Sequence, residues 1–156
     1  MIVYLIAVGS NMPSWVKTGF DEYAGRLRHD VTLKLIEVPA LVRKKNDDVK
    51  RTLKEEGDKL LKAIPKNCLI VGLDVIGKAV TTPELSKRME SWMQSGQDVA
   101  LLIGGPEGFS PEIKSLFQQS LSLSKLTLPH PMVRVLMAEQ LFRAWSIINN
   151  HPYHRE

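Results

Sequence analysis

The sequence contains a single cysteine, Cys68, among its 156 residues. One thiol cannot form an internal disulfide or a cysteine-based metal cluster, and such a sequence is typical of the reducing cytoplasm. Long hydrophobic runs are also scarce. The apolar segment 1–8 is too short to span a membrane, and no basic residues precede it as they would in a signal peptide. We therefore predict a cytoplasmic protein without a membrane segment.

Several motifs of nucleotide-dependent and hydrolytic enzymes are missing. The glycine-rich segment 104–108 is not a Gly-x-Gly-x-x-Gly dinucleotide motif, and the sequence has no Gly-Lys-Ser/Thr of a P-loop. No group of His and Cys residues has the spacing of metal ligands, so we predict no metal site. The Gly-x-Ser-x-Gly turn of serine hydrolases is absent as well. Hydride transfer, phosphoryl transfer, zinc chemistry and serine hydrolysis are poorly supported.

Charge is only mildly unbalanced. Lys and Arg number 21 against 17 Asp and Glu, which gives a formal net charge of +4. This excess permits an acidic partner such as RNA without requiring one. The densest basic run is Arg43-Lys44-Lys45, for which phosphate contact and simple solvation are equally good interpretations. Asn46 or Asp47 is predicted to cap the helix that follows.

Strand-like and helix-like patterns alternate along the chain. Because alternating strands and helices form parallel sheets, we predict an α/β fold with a mostly parallel sheet and helices on both faces, in one domain comprising residues 1–156. The predicted strands are 2–8, 31–39, 68–74, 99–103 and 121–128, and the predicted helices are 13–29, 49–64, 81–94, 110–119 and 133–149.

The stretch 99–131 has the clearest functional pattern. A fully apolar strand at Val99–Ile103 is followed at once by Gly104, Gly105 and Gly108, and Ser110 stands as the N-cap of the next helix. Open α/β sheets usually bind ligands where a strand passes through such a turn into a helix. Glycines there would let a ligand approach the backbone. An ordinary connection between strand and helix is the alternative.

A second wall of this site is predicted between residues 121 and 131. Pro129 and Pro131 predict an extended conformation for His130, because a residue before proline avoids the helical region. The exposed backbone of this segment could hydrogen-bond an adenine edge or a ribose. A strand ending in a stiff loop explains the same pattern.

The last two segments each permit two interpretations. The helix 133–149 is apolar around most of its circumference, which is typical of either a homodimer interface or a central core helix. Composition alone predicts a disordered tail at 151–156. Yet Tyr153 and His154 could stack on a base, His154 could move a proton, and Arg155 could bind phosphate.

Four segments together resemble one protein family closely. They are LIGGPEG at 102–108, LSLSKLTLPH at 121–130, RVLMAEQLFR at 134–143 and HPYHR at 151–155, and the resemblance extends to AVGSNMPSW at 7–15. This chain is similar to the ribosomal RNA large subunit methyltransferase H family. Members of that family are small SPOUT methyltransferases. Phe142 stands where many relatives carry Tyr, so this chain lacks one hydroxyl at the interface that the resemblance implies.

The resemblance implies a deep trefoil knot in the C-terminal part of the fold and S-adenosylmethionine bound within it. It also implies a homodimer in which the tail of one subunit completes the site of the other. The implied reaction is methylation of N3 of a pseudouridine in 23S rRNA of the assembled ribosome. By this resemblance the cofactor contacts are Leu73, Gly105, Ser124, Lys125, Leu126, Thr127, Leu128 and Pro129.

The implied reaction assigns roles to the tail. Methyl transfer needs donor and acceptor in line, and the acceptor nitrogen must lose a proton. His154 is the first candidate for the base, with Tyr153 to stack or hydrogen-bond and Arg155 to hold phosphate or steady the anion. His130 is the second candidate. Two other functions fit the fold: a non-catalytic ribosome-binding or assembly factor, and a nucleotide-binding sensor that uses the glycine turn.

Overall fold

A five-stranded parallel sheet forms the centre of the computed structural model, which describes residues 1–42 and 48–155. The strand order is β2-β1-β4-β3-β5, and every neighbouring pair is parallel. This confirms the predicted α/β class. The strands are β1 (Ile2–Val8), β2 (Thr32–Val38), β3 (Leu69–Ala79), β4 (Val99–Ile103) and β5 (Gln119–Ser122).

Helices cover both faces of the sheet, as predicted. They are α1 (Ser14–Ala24), α2 (Val49–Ala63), α3 (Thr82–Ser95), α4 (Pro111–Lys114) and α5 (His130–Ile148). One face packs against α1, α3 and α5, and the other against α2 and α4. The central strand β4 is buried at all five positions, because its side chains point alternately into these two layers.

Helix α5 is a core element of this chain. Its residues Met137, Ala138, Leu141, Phe142 and Ala144 are buried in the same cluster as the sheet. The apolar circumference noted in the sequence is thus explained in large part by contacts with α1, α3 and the sheet. The structure supports the core interpretation, and the dimer remains a proposal.

Two predicted strand ends are wrong. Strand β3 does not stop at Asp74, because it leaves the ladder after Leu73 and resumes at Lys78, and both residues pair with Leu121. Residues 74–77 form an irregularity inside a longer strand, although an aspartate and a glycine there resemble a turn. Strand β5 ends at Ser122 instead of residue 128. The hydroxyl of Ser124 accepts the N–H of Leu126 at 2.9 Å, which takes that amide away from strand pairing.

Three helix boundaries also differ from prediction. Helix α1 ends at Ala24, and His29 adopts a left-handed φ of +62°. Helix α4 is a single turn, because the N–H of Gln118 donates to the carbonyl of Ile70 at 2.9 Å and returns the chain to the sheet. Helix α5 begins at His130, so the predicted extended conformation of His130 is wrong. Proline is tolerated in a first helical turn, where its missing N–H would be unpaired in any case.

The N-terminus of α2 is capped by Asp48, whose carboxylate accepts the N–H of Lys50 at 2.9 Å. The cap was predicted at Asn46 or Asp47, which lie outside the described residues, as do Arg43, Lys44 and Lys45. None of the helices in the described ranges is long and apolar enough to cross a membrane.

Helix α3 begins with a capping box. The Thr81 hydroxyl accepts the N–H of Glu84 at 3.3 Å, and the Glu84 carboxylate accepts the N–H of Thr81 at 2.7 Å. We expect Thr81→Ala to lower the free energy of unfolding by about 1 kcal/mol, because a helix N-terminus then loses a cap. Urea denaturation measures this. Thr18→Ala on the exposed face of α1 is the control and should change stability by less than half as much. Equal effects of the two substitutions would contradict the capping role.

Candidate functional site

A cleft of about 710 Å³ lies at the carboxyl end of β4 and at the end of the regular part of β3, residues 69–73. Three segments surround it: residues 73–76, where the regular part of β3 ends, residues 103–109 at the end of β4 and in the turn that follows, and residues 127–130, which lead into α5. This is the edge of a parallel sheet at which ligands usually bind. Its volume lies within the range of about 300–1,000 Å³ typical of small-molecule sites.

The glycine turn after β4 is closed on itself. The N–H of Gly108 donates to the carbonyl of Gly105 at 2.9 Å, and Gly108 has a left-handed φ of +77°. A Cβ on Gly104 would lie 2.6 Å from the Gly108 carbonyl oxygen, and one on Gly105 would lie 2.8 Å from a carboxylate oxygen of Glu56. Glycine at 104 is therefore required by the packing of the turn itself, and glycine at 105 by the close contact with Glu56 on α2.

The opposite wall is the loop between β5 and α5. The structure brings five of the predicted cofactor residues to the cleft. Ser124 and Leu126 line a smaller adjoining cavity of about 80 Å³, which shares Leu73 and Leu128 with the main cleft. Lys125 is exposed and lines neither cavity. The five residues at the cleft are Leu73, Gly105, Thr127, Leu128 and Pro129.

The sequence reading missed one ion pair in the cleft. A carboxylate oxygen of Asp74 lies 2.8 Å from Lys114 Nζ, and both residues line the cleft. Asp74 at the end of a predicted strand was a visible signal. Its partner was not, because Lys114 lies on a one-turn helix forty residues later and no local spacing connects the two.

His130, at the start of α5, also lines the cleft. Burial, and next the positive charge of Arg134, lower the pKa of His130, while hydrogen bonding to the backbone of Gly105 opposes this shift. The imidazole is therefore neutral at pH 7. A neutral imidazole at this wall can accept a proton.

Arg134, one turn after His130, is fully buried. One of its terminal nitrogens donates to Glu37 at 2.6 Å and the other to the carbonyl of Gly9 at 2.7 Å. The side chain thereby ties the first turns of α5 to the carboxyl ends of β1 and β2. The sequence offered only a weak signal for this role: Arg134 stands between the apolar residues Val133 and Val135.

The predicted disorder of the tail is wrong for residues 151–155. Tyr153 packs on Phe142 with ring centroids 4.6 Å apart, and its hydroxyl donates to Glu139 at 3.0 Å. The Arg143 guanidinium lies 4.7 Å from the centre of the Tyr153 ring, and a terminal nitrogen of Arg143 is 3.4 Å from His154 Nδ1. An aromatic and charged cluster therefore holds the tail against α5. Arg155 is exposed.

Within one chain the tail does not reach the cleft. Its contacts Glu139 and Arg143 follow His130 by nine and thirteen residues, about 13 to 20 Å along the helix axis. Tyr153, His154 and Arg155 are absent from the lining of the described cleft. The single chain thus separates the predicted cofactor wall from the predicted catalytic residues.

Tyr153 gives the tail a measurable signature. Burial, and next its hydrogen bond to Glu139, raise the pKa of Tyr153 to about 12 from the ordinary value of 10.0. The folded state therefore favours the neutral phenol over the phenolate. The resulting contribution to the free energy of unfolding is complete below pH 10 and is lost as the pH rises towards 12. We expect the free energy of unfolding to fall over that interval, and to fall less in Tyr153→Phe.

Urea denaturation at pH 9, 10 and 11 measures this difference. Tyr4→Phe is the matched control, because Tyr4 packs on the opposite face of the sheet. Its pH dependence should parallel that of the wild type. The same slope for Tyr153→Phe and the wild type would refute the buried hydrogen bond.

The residues described contain no group of three or more His, Cys, Asp or Glu side chains arranged to hold a metal ion.

A family model described as a predicted SPOUT methyltransferase matches residues 1–154.

Solved structures show the same fold at low sequence identity. A probable methylase family protein from Haemophilus influenzae Rd KW20 superposes with a TM-score of 0.60 and 12% identity, over 99% of this chain and 70% of that one. A protein from Neisseria gonorrhoeae assigned to the methylase family has a TM-score of 0.52 and 11% identity, over 97% of this chain and 95% of that one. A structure concerned with 2-OH methylation of C/U34 on tRNA has a TM-score of 0.50 and 14% identity, over 96% and 97% of the two chains.

Proposed function

Because this chain belongs to the SPOUT methyltransferase family, we propose that it transfers a methyl group from S-adenosylmethionine to N3 of a pseudouridine in 23S rRNA of the assembled ribosome. The observation that carries this proposal is the cleft at the carboxyl end of β4 and the end of the regular part of β3. Three separate segments converge there, and five residues of the proposed cofactor site lie in its walls.

The residues of the cleft fit S-adenosylmethionine chemically. Apolar side chains at Leu73, Ile103, Leu128 and Val133 can pack against the adenosine ring and the carbon chain. Backbone groups of the glycine turn can hydrogen-bond polar edges of the cofactor. The cofactor has no phosphate, which agrees with a glycine turn that lacks a P-loop lysine.

S-adenosylmethionine supplies an electrophilic methyl carbon on a sulfonium sulfur. The task of the protein is then to align the acceptor nitrogen with that carbon, to exclude water and to receive the N3 proton. His130 is neutral and lies in the cleft wall, where it can accept a proton. His154 is the other candidate base, and Arg155 carries the positive charge suited to an RNA phosphate or a developing anion.

The site proposed here requires two subunits. Since the tail of one chain is held about 13 to 20 Å along α5 from its own cleft, we propose a homodimer in which His154 of the partner subunit completes the site. Exposed apolar side chains support an interface on this side: Trp15 on α1 and Met132 on α5 are 49% and 41% exposed. Packing of α1 along α5 places both helices in one layer.

The decisive experiment is methyl transfer to ribosomes that lack the modification. We expect tritium from methyl-labelled S-adenosylmethionine to enter 23S rRNA, with mass spectrometry of nuclease fragments placing it on a pseudouridine. Fully modified ribosomes are the matched control and should accept no label. Stable ribosome binding without incorporation would instead establish the non-catalytic assembly factor, and incorporation at another base would overturn the proposed target.

A further inference from the structure

We propose that Asp74 and Lys114 bind the two charged groups at the amino-acid end of the methyl donor, Asp74 its α-ammonium group and Lys114 its α-carboxylate. The inference rests on the proposed function and assigns to that site two residues outside the segments that carry the family resemblance. It predicts that the protein distinguishes ligands with an amino-acid tail from ligands with the same nucleoside alone.

The position of Asp74 carries the inference. Its side chain is only 11% exposed, yet it lies in the wall of the cleft and pairs with Lys114 at 2.8 Å. Its other carboxylate oxygen accepts the N–H of Ile76 in a long contact of 3.4 Å. A carboxylate this poorly hydrated strongly favours a cationic partner, and the long backbone contact leaves acceptor capacity unused.

Lys114 supplies the opposite charge with more freedom of movement. Its side chain is 39% exposed and extends from the one-turn helix α4. Among the described residues that line the cleft, Lys114 is the cationic side chain at neutral pH, since the pKa of His130 is lowered. A flexible ammonium group can turn from Asp74 to a ligand carboxylate at little cost.

The pair matches the charge pattern of an α-amino acid. A zwitterion placed between the two side chains exchanges one ion pair for two, so Asp74 keeps a cationic partner while Lys114 gains an anion. Apart from Glu107, Thr127 and His130, the remaining lining residues are apolar or glycine, which suits the uncharged nucleoside. The alternative is a purely structural link between β3 and α4. That link would stabilise the fold without distinguishing between ligands.

Calorimetric titration with four ligands separates these roles. S-adenosylhomocysteine and 5′-methylthioadenosine share the nucleoside and an uncharged sulfur, but only the first has the amino-acid tail. We expect Asp74→Asn to weaken S-adenosylhomocysteine binding about 10- to 100-fold, the usual effect of losing a charge-assisted hydrogen bond. Binding of 5′-methylthioadenosine should change by less than about threefold.

S-adenosylmethionine and its decarboxylated form test Lys114. Lys114→Met should weaken S-adenosylmethionine about tenfold and leave the decarboxylated form within about threefold, whereas Lys114→Arg should retain most of the affinity for both. Glu55→Gln is the control, because it removes an exposed ion pair on α2 that lies outside the cleft. Thermal unfolding of each variant verifies that it is folded.

The outcomes distinguish the two levels of the proposal. Equal weakening of S-adenosylhomocysteine and 5′-methylthioadenosine by Asp74→Asn, or no weakening of either, would overturn the zwitterion site and leave the methyltransferase proposal intact. A wild-type protein that binds neither S-adenosylmethionine nor S-adenosylhomocysteine would overturn both.

Discussion

Gly104→Ala is expected to weaken S-adenosylmethionine binding at least about tenfold, which corresponds to about 1.4 kcal/mol. The new Cβ would lie 2.6 Å from the carbonyl oxygen of Gly108 and 2.8 Å from its carbonyl carbon. Both atoms are backbone and cannot rotate away as a side chain could. The turn must therefore open, and residues 105–108 move in the wall of the cleft.

Gly96→Ala is the matched control for that substitution. Gly96 ends α3 in the left-handed conformation, φ +72°, and nothing lies within 4 Å of an added Cβ. Alanine there costs about 1 kcal/mol through backbone strain alone. We expect both variants to have lowered melting temperatures and only Gly104→Ala to lose affinity in calorimetry. A folded Gly104→Ala protein with wild-type affinity would place the cofactor outside this cleft.

Deletion of residues 154–156 is expected to lower kcat at least about 100-fold, the usual range for the loss of a general base together with a charge-stabilising group. The affinity for S-adenosylmethionine should change by less than about threefold. The truncation retains Tyr153 because that ring packs on Phe142 and bonds to Glu139, so that its removal would also damage the fold. The single substitutions His154→Ala and Arg155→Ala then show how much of the loss in kcat is due to the base and how much to the cationic side chain.

Mixing two impaired variants tests whether the tail acts across a dimer, when the assay uses S-adenosylmethionine at a concentration well below the weakened dissociation constant of Gly104→Ala. One carries Gly104→Ala and the other lacks residues 154–156, and the two are refolded together in equal amounts. If the tail completes the partner's cleft, each mixed dimer has one intact site, and random pairing restores about a quarter of the wild-type activity. An inactive mixture, or full activity of the truncated protein alone, would refute the shared site.

The parts of the fold that local rules determine were predictable. The apolar strand Val99–Ile103 and the start of helix α3 after Thr81 each depend on residues within a few positions, and the structure confirms both. The predicted strand end at Asp74 failed because the register of β3 against β5, a long-range property, continues the strand to Ala79. The predicted end at Leu128 failed because the Ser124 hydroxyl accepts the N–H of Leu126 and takes it away from strand pairing. The knot and the dimer depend on chain crossing and on a second copy, and both stay predictions.

In the candidate site, too, features that depend on local sequence were predictable and features that depend on long-range contacts were not. The glycine turn and the loop before α5 could be found in the sequence because they are contiguous motifs. The Asp74–Lys114 pair and the attachment of Tyr153 to Glu139 could not, since each joins residues that only the folded chain brings together. The composition of the tail predicts disorder, because composition contains no information about the aromatic side chains of α5 on which the tail packs.

The irregularity in β3 has a consequence for hydrogen exchange. Leu121 pairs with Leu73 on one side of it and with Lys78 on the other, so both ends of the segment 74–77 are fixed to the same strand. Val75 and Ile76 between them are 73% and 79% exposed. We expect the amides of 74–77 to exchange with deuterium much faster than those of 71–73. Such a segment can adjust locally to different bound molecules, while the amides of the neighbouring sheet stay protected from hydrogen exchange.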